Sequence, residues 1–560
     1  MRVLIAALSS LLSLSYLAEA NLTAQPNTRG PLVTVVNGTF EGESSPYYGQ
    51  DIFRGIPYAQ PPIGDRRLRP PFSLNSTWSD VRSAKTFSSM CVGYGSDQTN
   101  HPTSEDCLTL NVIRPHNASG LPVAVWVHGG SFVEGGNSDA QYNMSFMVQN
   151  SVKSGNPIIG VNINYRLSGW GFSYGKEIQA AGIANLGLRD QRLAFHWIQE
   201  NIENFGGDPG KVTIFGESSG AASVGAHLIA YGGRDDNLFR AVMAESGSPQ
   251  QYARYNSIAN TQASYDLVTS LTGCNTTSDS IQCLRDLPFE TLNEVFNTTS
   301  NDIFYMPAVD GDFIQDYGSN QLKDGRFVKV PLLIGTNTDE ATTYMFDLPL
   351  NTNADFTNFI NDVAHVANDT ILPILYPDIP AIGLPFSYLV GNERPTGALL
   401  ISLGSQYKRG VAFYSDFDMH NNRRAASQAW STYNTTTYSY RFNIIPSGNA
   451  DYIAVGHTSE IAFVFNNLNG YGISINPFSN GLESYVLAST LMSSMWASFV
   501  THLDPNFHGI NNTAYWPTYS NELPQNFVFD ANVTSYIEID DFRAEAIQYM
   551  IDVAGDQYGR

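Results

Sequence analysis

Residues 211–223 read Lys-Val-Thr-Ile-Phe-Gly-Glu-Ser-Ser-Gly-Ala-Ala-Ser, and they place Ser218 two positions from Gly216 on one side and Gly220 on the other. A serine in G-x-S-x-G can carry nucleophilic attack on an acyl carbon, provided the backbone turns sharply at the serine. The flanks suit that turn. A β-branched and aromatic run ends at Gly216, and a small-residue helical stretch runs from Ala221 to Ala230. The turn would lift the Ser218 hydroxyl into a pocket and aim the next backbone N–H, that of Ser219, at a developing oxyanion. A chance match is the competing reading, and the chain carries a second match at Gly171-Phe-Ser-Tyr-Gly175. No strand precedes that one and no small-residue helix follows it, so Ser173 reads as a loop serine.

A serine hydroxyl needs a base to take its proton and an acid to orient the base. The buried-type segment Val330–Ile334 runs into a polar loop holding Asp339 and Glu340, and on the residues alone either carboxylate could serve. Of the ten histidines, five follow Glu340. His365 falls in an amphipathic helical pattern at 359–366, His420 in a polar run, and His502 and His508 flank the end of a late helix. His457, in Val-Gly-His-Thr-Ser-Glu-Ile at 455–461, sits on a glycine-hinged loop ahead of an apolar helix and ranks first as the base. Val125-Trp-Val-His-Gly-Gly-Ser-Phe132 is a strand ending in a glycine-rich loop, the kind of segment that supplies further oxyanion donors.

Apolar β-type segments recur at 122–127, 157–163, 211–215, 241–244 and 330–334, with helical patterns at 190–204 and 221–231 among them. Alternation of this kind predicts an α/β fold, a large and mostly parallel sheet with helices on both faces. No linker, charge block or internal repeat divides the chain, so residues 21–560 are expected to form one α/β domain.

Residues 1–20 have the form of a secretory leader: Arg2, an apolar stretch from Val3 to Leu17, and an Ala18-Glu19-Ala20 cleavage site. Sequons at Asn21, Asn37, Asn75, Asn117, Asn143, Asn275, Asn297, Asn368, Asn434, Asn511 and Asn532 accord with secretion and glycosylation. Four cysteines in an oxidising compartment suggest two bridges, and the expected pairing is the local one, Cys91–Cys107 and Cys274–Cys283. A formal charge of −22 disfavours nucleic acid and anionic membranes as partners. No later run is long and apolar enough to span a bilayer. Neither H-E-x-x-H nor G-x-x-x-x-G-K-[ST] occurs, so no metal or nucleotide cofactor is expected.

Longer motifs carry a resemblance. Phe53-Arg-Gly-Ile-Pro-Tyr-Ala59, Ser104-Glu-Asp-Cys-Leu-Thr-Leu-Asn-Val112, Asn164-Tyr-Arg166, Asn185-Leu-Gly-Leu-Arg-Asp-Gln191, Phe205-Gly-Gly-Asp-Pro209, the Ser218 elbow and Gly456-His457 occur in this order. With them the chain resembles the type-B carboxylesterase/lipase family, which includes cholinesterases and secreted fungal lipases and esterases. The resemblance implies the α/β-hydrolase fold and a triad of Ser218, Glu340 and His457. It implies oxyanion donors at Gly130, Ser131 and Ser219, with Ser246 supporting the acid–base pair and Glu217 beside the nucleophile. It further implies structural salt bridges Arg54–Glu105 and Arg166–Asp190. Two positions depart from the usual pattern: Ser131 stands where a third glycine is common, and Ser219 where alanine is.

In relatives the loop closed by the first disulfide borders the active-site mouth and becomes a long amphipathic lid in lipases. Here residues 92–106 are polar, with no apolar stripe to meet a lipid surface and no tryptophan to hold a quaternary ammonium. The expectation is therefore a carboxylesterase acting on soluble short- or medium-chain esters through an acyl-enzyme. A triacylglycerol lipase or sterol esterase of the same family is the alternative. An inactive, adhesion-type relative would have lost the triad that this chain keeps.

Overall fold

The run Val123-Ala-Val-Trp-Val127 shows how the sheet divides the interior. Val123, Val125 and Val127 pack on one side with helices Leu186–Asn201 and Ser219–Gly233, whereas Ala124 and Trp126 pack on the other with helix Glu483–His502. Successive strand side chains point to opposite faces, so a strand buried on both sides is apolar at every position. The structure is a computed structural model that describes residues 30–560 apart from 300–302, 346–347, 367–368, 384–400 and 451. The leader and the sequons at Asn21 and Asn368 lie outside the described residues.

Eleven strands form the main sheet. In chain order they are β1 Glu43–Ser45, β2 Gln50–Pro57, β3 Thr109–Pro115, β4 Leu121–Val127, β5 Ile159–Ile163, β6 Gly207–Glu217, β7 Ala241–Glu245, β8 Leu332–Asn337, β9 Thr437–Phe442, β10 Gln525–Phe529 and β11 Tyr536–Ile539. Across the sheet they run β11-β10-β9-β8-β7-β6-β4-β5-β3-β2-β1. From β5 to β10 neighbours are parallel, and antiparallel pairs finish both edges. This is the α/β-hydrolase arrangement, and each predicted inner segment overlaps a parallel strand. Helices follow strands, so the loops at the strands' C-terminal ends cluster along one edge, where open α/β sheets place their sites. Among the described residues no helix is long and apolar enough to cross a membrane.

Two fastenings hold the loops. The disulfides pair Cys91 with Cys107 and Cys274 with Cys283, as expected. Arg166 grips Asp190 in a buried fork, with Nε and Nη2 each 2.7 Å from a carboxylate oxygen, and so ties the loop after β5 to helix Leu186–Asn201. The other expected salt bridge is corrected. Arg54 is part-buried on β2, the strand next to the edge, and pairs with Glu43 on edge strand β1 at 2.6 Å. Glu105 is held instead by Arg67, which forks onto both carboxylate oxygens at 2.6 and 2.7 Å and also donates to the carbonyls of Arg285 and Leu287. Arg67 thereby joins the first disulfide loop to the segment carrying the second.

Of the described sequon asparagines, Asn75, Asn117, Asn275, Asn297, Asn434, Asn511 and Asn532 are exposed. Asn143 is half-buried and caps the helix Met144–Lys153 through Ser145 N.

Breaking the buried fork should be costly, because a lone buried guanidinium loses its compensation. Asp190→Asn is expected to destabilise the protein by about 3–5 kcal/mol, whereas Glu43→Gln, at an exposed pair, should stay within about 1 kcal/mol of wild type. Urea denaturation of the two variants checks this, and equal midpoints would contradict it.

Candidate active site

Strand β6 delivers Glu217 and Ser218 to the edge, and helix Ser219–Gly233 leaves from the next residue. Ser218 has φ 55° and ψ −124°, a conformation strained for a residue with a side chain. The neighbouring glycines explain how the turn is accommodated. A Cβ on Gly216 would lie 2.6 Å from both Gly220 C and Val127 O, and one on Gly220 would lie 2.1 Å from Val127 O. Strand β4, the elbow and the helix start therefore touch backbone to backbone. Ser218 N donates to Glu245 O at 2.9 Å, fixing the turn to β7.

Strand β8 ends at Asn337, and the turn after it brings Glu340 to a fully buried position. Its Oε2 meets His457 Nδ1 at 2.7 Å, while Oε1 accepts from Ser246 Oγ at 2.5 Å and from Asn337 N at 2.6 Å. Asp339 does other work: its Oδ2 accepts from Val455 N at 3.1 Å and steadies the loop that carries His457. The structure thus sets Glu340 against the imidazole, while Asp339 bonds to the Val455 N–H. Ser246, on the turn after β7, fastens the acid from behind as the resemblance implied.

Nε2 of His457 makes no hydrogen bond and looks toward Glu217 Oε1 at 3.2 Å, without the alignment a hydrogen bond needs. Ser218 Oγ and Nε2 are not bonded in this state. Such contacts are often long before substrate arrives and tighten in the reacting complex.

Two groups the sequence reading did not single out complete the surroundings. Glu245 pairs across the sheet with Glu217 in register and accepts from Trp496 Nε1 at 2.7 Å. Glu460, one turn beyond His457, accepts from Asn337 Nδ2 at 2.5 Å. Nothing local marks either one, because each becomes part of the cluster only through strand register or loop return. Burial raises Glu217 and Glu245 well above the ordinary carboxylate range, and it pushes Glu460 up to about 7. For His457 burial alone would act downward, but the charges of Glu217, Glu340 and Glu460 outweigh it and push the imidazole up to about 10. Glu217 and His457 thus compete for a proton, and both bind it more tightly than usual.

The loop after β4 has three successive residues in the left-handed region, Gly130, Ser131 and Phe132 at φ 94°, 55° and 62°. It coils so that Val133 N and Glu134 N both donate to Gly130 O, leaving the N–H groups of Gly130 and Ser131 without protein acceptors among the described residues. Ser219 N–H, at the first helical position, has no intrahelical acceptor. The departure at Ser219 has a structural use: its Oγ accepts from Phe132 N at 3.2 Å, tying the helix start to this loop. Ser131 takes a positive φ that glycine would adopt without strain.

The remaining candidates make other contacts. Ser173 follows a short helix and donates to Gly169 O at 2.7 Å, with ordinary backbone angles. His365 caps the helix Asn353–Ala364, His420 is bonded to Thr336 Oγ1 and His502 to Asn156 Oδ1. His508 lies in a loop, where its Nδ1 accepts from Ile510 N at 3.1 Å.

The sequence profile of the carboxylesterase family matches residues 29–546. "Secreted lipase 1" of Botryotinia fuckeliana is 32% identical, covering 95% of this chain and 95% of its own. "Lipase 2" of Geotrichum candidum is 31% identical over 92% of this chain and 93% of its own. Among solved structures, Aspergillus niger EstA superposes with a TM-score of 0.81 at 27% identity, covering 95% of this chain and 99% of that one. With the fold, the whole-length match and these relatives in agreement, the chain belongs to the carboxylesterase family and is an enzyme of ester hydrolysis.

Proposed function

We propose that this enzyme hydrolyses small, dissolved carboxylic esters through an acyl-enzyme on Ser218, with His457 as base and Glu340 as its orienting acid. The observation that carries the reading is the buried Glu340–His457 contact at 2.7 Å on the loop edge to which the elbow delivers Ser218. Ser218 Oγ attacks the ester carbonyl carbon as its proton passes to His457 Nε2. The carbonyl electrons move onto oxygen, which faces the N–H groups of Gly130, Ser131 and Ser219. On collapse the C–O bond to the alcohol breaks, and His457 returns the proton to the departing oxygen. Water then repeats the attack on the acyl-enzyme and frees Ser218. Glu340 accepts from the imidazole Nδ1–H, orients the ring and stabilises the imidazolium.

The preference for dissolved substrate rests on residues 92–106. Tyr94 N donates to Val133 O at 2.7 Å, Asp97 N to Glu134 Oε2 at 2.8 Å, and Gly135 N to Gln98 Oε1 at 3.3 Å. Tyr94 Oη donates to Asn293 Oδ1 at 2.9 Å and accepts from Trp170 Nε1 at 3.0 Å. No large apolar side chain of this loop is exposed. A lid that opens on lipid must release such bonds and present an apolar face, and this loop has none to present. The second reading, a triacylglycerol lipase or sterol esterase, is favoured by the relatives' names: the two fungal relatives are lipases by name, and both match at full length. The leader pattern and the exposed sequons support secretion as a glycoprotein.

Ser218→Ala is expected to lower kcat by on the order of 10⁴–10⁶ and abolish labelling by a fluorophosphonate, while Ser173→Ala leaves both unchanged. Glu340→Gln should fold and lose most activity, with Asp339→Asn milder. A dead Ser173 variant beside an active Ser218 variant would sink the assignment.

The proton competition sets the pH dependence. His457 is raised, so its neutral form, the active base, is gained only as pH climbs, and kcat/KM should fall on the acid side with a midpoint above the ~6.5 of free histidine. Glu217→Gln removes a facing negative charge, which lowers the His457 pKa and should move that midpoint down by about one unit. A midpoint that stays put, or rises, would contradict the coupling.

Rate against concentration of one ester across its solubility limit separates the two substrate readings. Ordinary saturation with weak triolein hydrolysis is expected; a jump at the limit would favour the lipase.

A further inference from the structure

A cavity of about 550 Å³ contains charged side chains that the proposed mechanism does not use, and two of its lining tyrosines lead toward the candidate site. Tyr252, Arg254, Tyr414, Asp418, Tyr558 and Arg560 are among its lining. It approaches the candidate site through two of these tyrosines. Tyr252 lies beside the Ser131 hydroxyl of the oxyanion loop. The Tyr414 ring is 6.1 Å from that of Tyr344, whose ring is 5.5 Å from the His457 imidazole.

Asp418 and Arg560 are the unusual pair. They are 7% and 4% exposed, so both are largely withdrawn from bulk water. Arg560 spends one N–H on the Phe417 carbonyl and stacks over the Phe417 ring at 3.8 Å. Each feels the other's charge, yet no hydrogen bond or ion pair joins them, and among the described residues the Asp418 carboxylate accepts no hydrogen bond. Burial pushes Asp418 up to about 7 and Arg560 down to about 10. Charged groups so placed are ordinarily paired with one another. Here both face the same space and stand apart.

We propose that this cavity is a specificity pocket for a hydroxyl group on the ester, which bridges the Arg560 guanidinium and the Asp418 carboxylate. The inference rests on the esterase reading above and names the substrate class it leaves open. A hydroxyl oxygen accepts from Arg560 while its O–H donates to Asp418, so one neutral group satisfies both charges. An alkyl chain would displace water from both and replace none of its hydrogen bonds. A carboxylate would suit Arg560 and Arg254 but bring a like charge against Asp418. The tyrosines flank an aliphatic or aromatic spacer with apolar ring faces.

The hydroxyl can reside on the acyl or on the alcohol portion, and the test has an arm for each. With the purified full-length enzyme, kcat/KM is measured for 4-nitrophenyl alkanoates from butanoate to decanoate and for their terminally hydroxylated counterparts. A second arm compares butanoate monoesters of diols with those of the matching plain alcohols. A gain of about tenfold or more from the hydroxyl, peaking at one spacer length in one arm, is expected for a hydrogen bond to charged partners. In Asp418→Leu/Arg560→Met the hydroxylated-to-plain ratio should collapse to near unity, with fluorophosphonate labelling reporting that the site is folded. Equal rates for each matched pair in both wild-type arms would overturn the proposal, as would a preference for carboxyl-ended acyl chains or a ratio that survives in the double variant. Hydrolysis of plain 4-nitrophenyl butanoate and fluorophosphonate labelling of the wild type report the esterase reading separately. Active, labelled enzyme without a hydroxyl preference removes only the pocket assignment, and loss of both readouts removes the two together.

Discussion

One buried imidazole among buried carboxylates is the constraint around which the site is built. Glu217, Glu245, Glu340 and Glu460 all end in the interior at the C-terminal edge of the sheet, and ionised carboxylates there are unfavourable unless something compensates them. Glu340 is compensated by three hydrogen bonds, one of them from the imidazole. The others respond by holding protons more tightly, and the His457 ring is drawn into the same balance. Removing His457 would also take from Glu340 one of its three hydrogen bonds.

How much of this can be read from the chain depends on whether the signal is local. The elbow is local: a β-branched run, two glycines and a small-residue helix mark it, and β6 and the following helix form there. The parallel inner strands are equally plain, because burial on both faces leaves Val123–Val127 or Leu332–Ile334 with no polar positions. Partners brought together by topology leave no such mark. Glu340 and His457 are 117 positions apart, and family resemblance rather than spacing singled out Glu340 over Asp339. Arg67 rather than Arg54 grips Glu105, since which arginine reaches the disulfide loop depends on the path of the turn around Gly64–Arg66. Glu245 and Glu460 were missed for the same reason.

The two departures from the family pattern also gain meaning only in three dimensions. Ser219 couples the helix start to the glycine-rich loop after β4, a link alanine could not make. Ser131 puts a hydroxyl at the exposed lip of that loop, beside Tyr252. Together with the hydrogen bonds from residues 94–98 to residues 133–135, these contacts make this loop part of the scaffold rather than a free segment.

The crowding at Gly216 and Gly220 has an evolutionary corollary. Because the nucleophile is located by main-chain atoms of β4, β6 and the following helix, its position is insensitive to which side chains furnish the pocket walls. Tyr252, Asp418 and Arg560 belong to other segments, outside the backbone contacts that form the elbow. The architecture separates a rigid reaction centre from a replaceable recognition surface, so new substrate ranges can be acquired through wall substitutions while the chemistry is inherited unchanged.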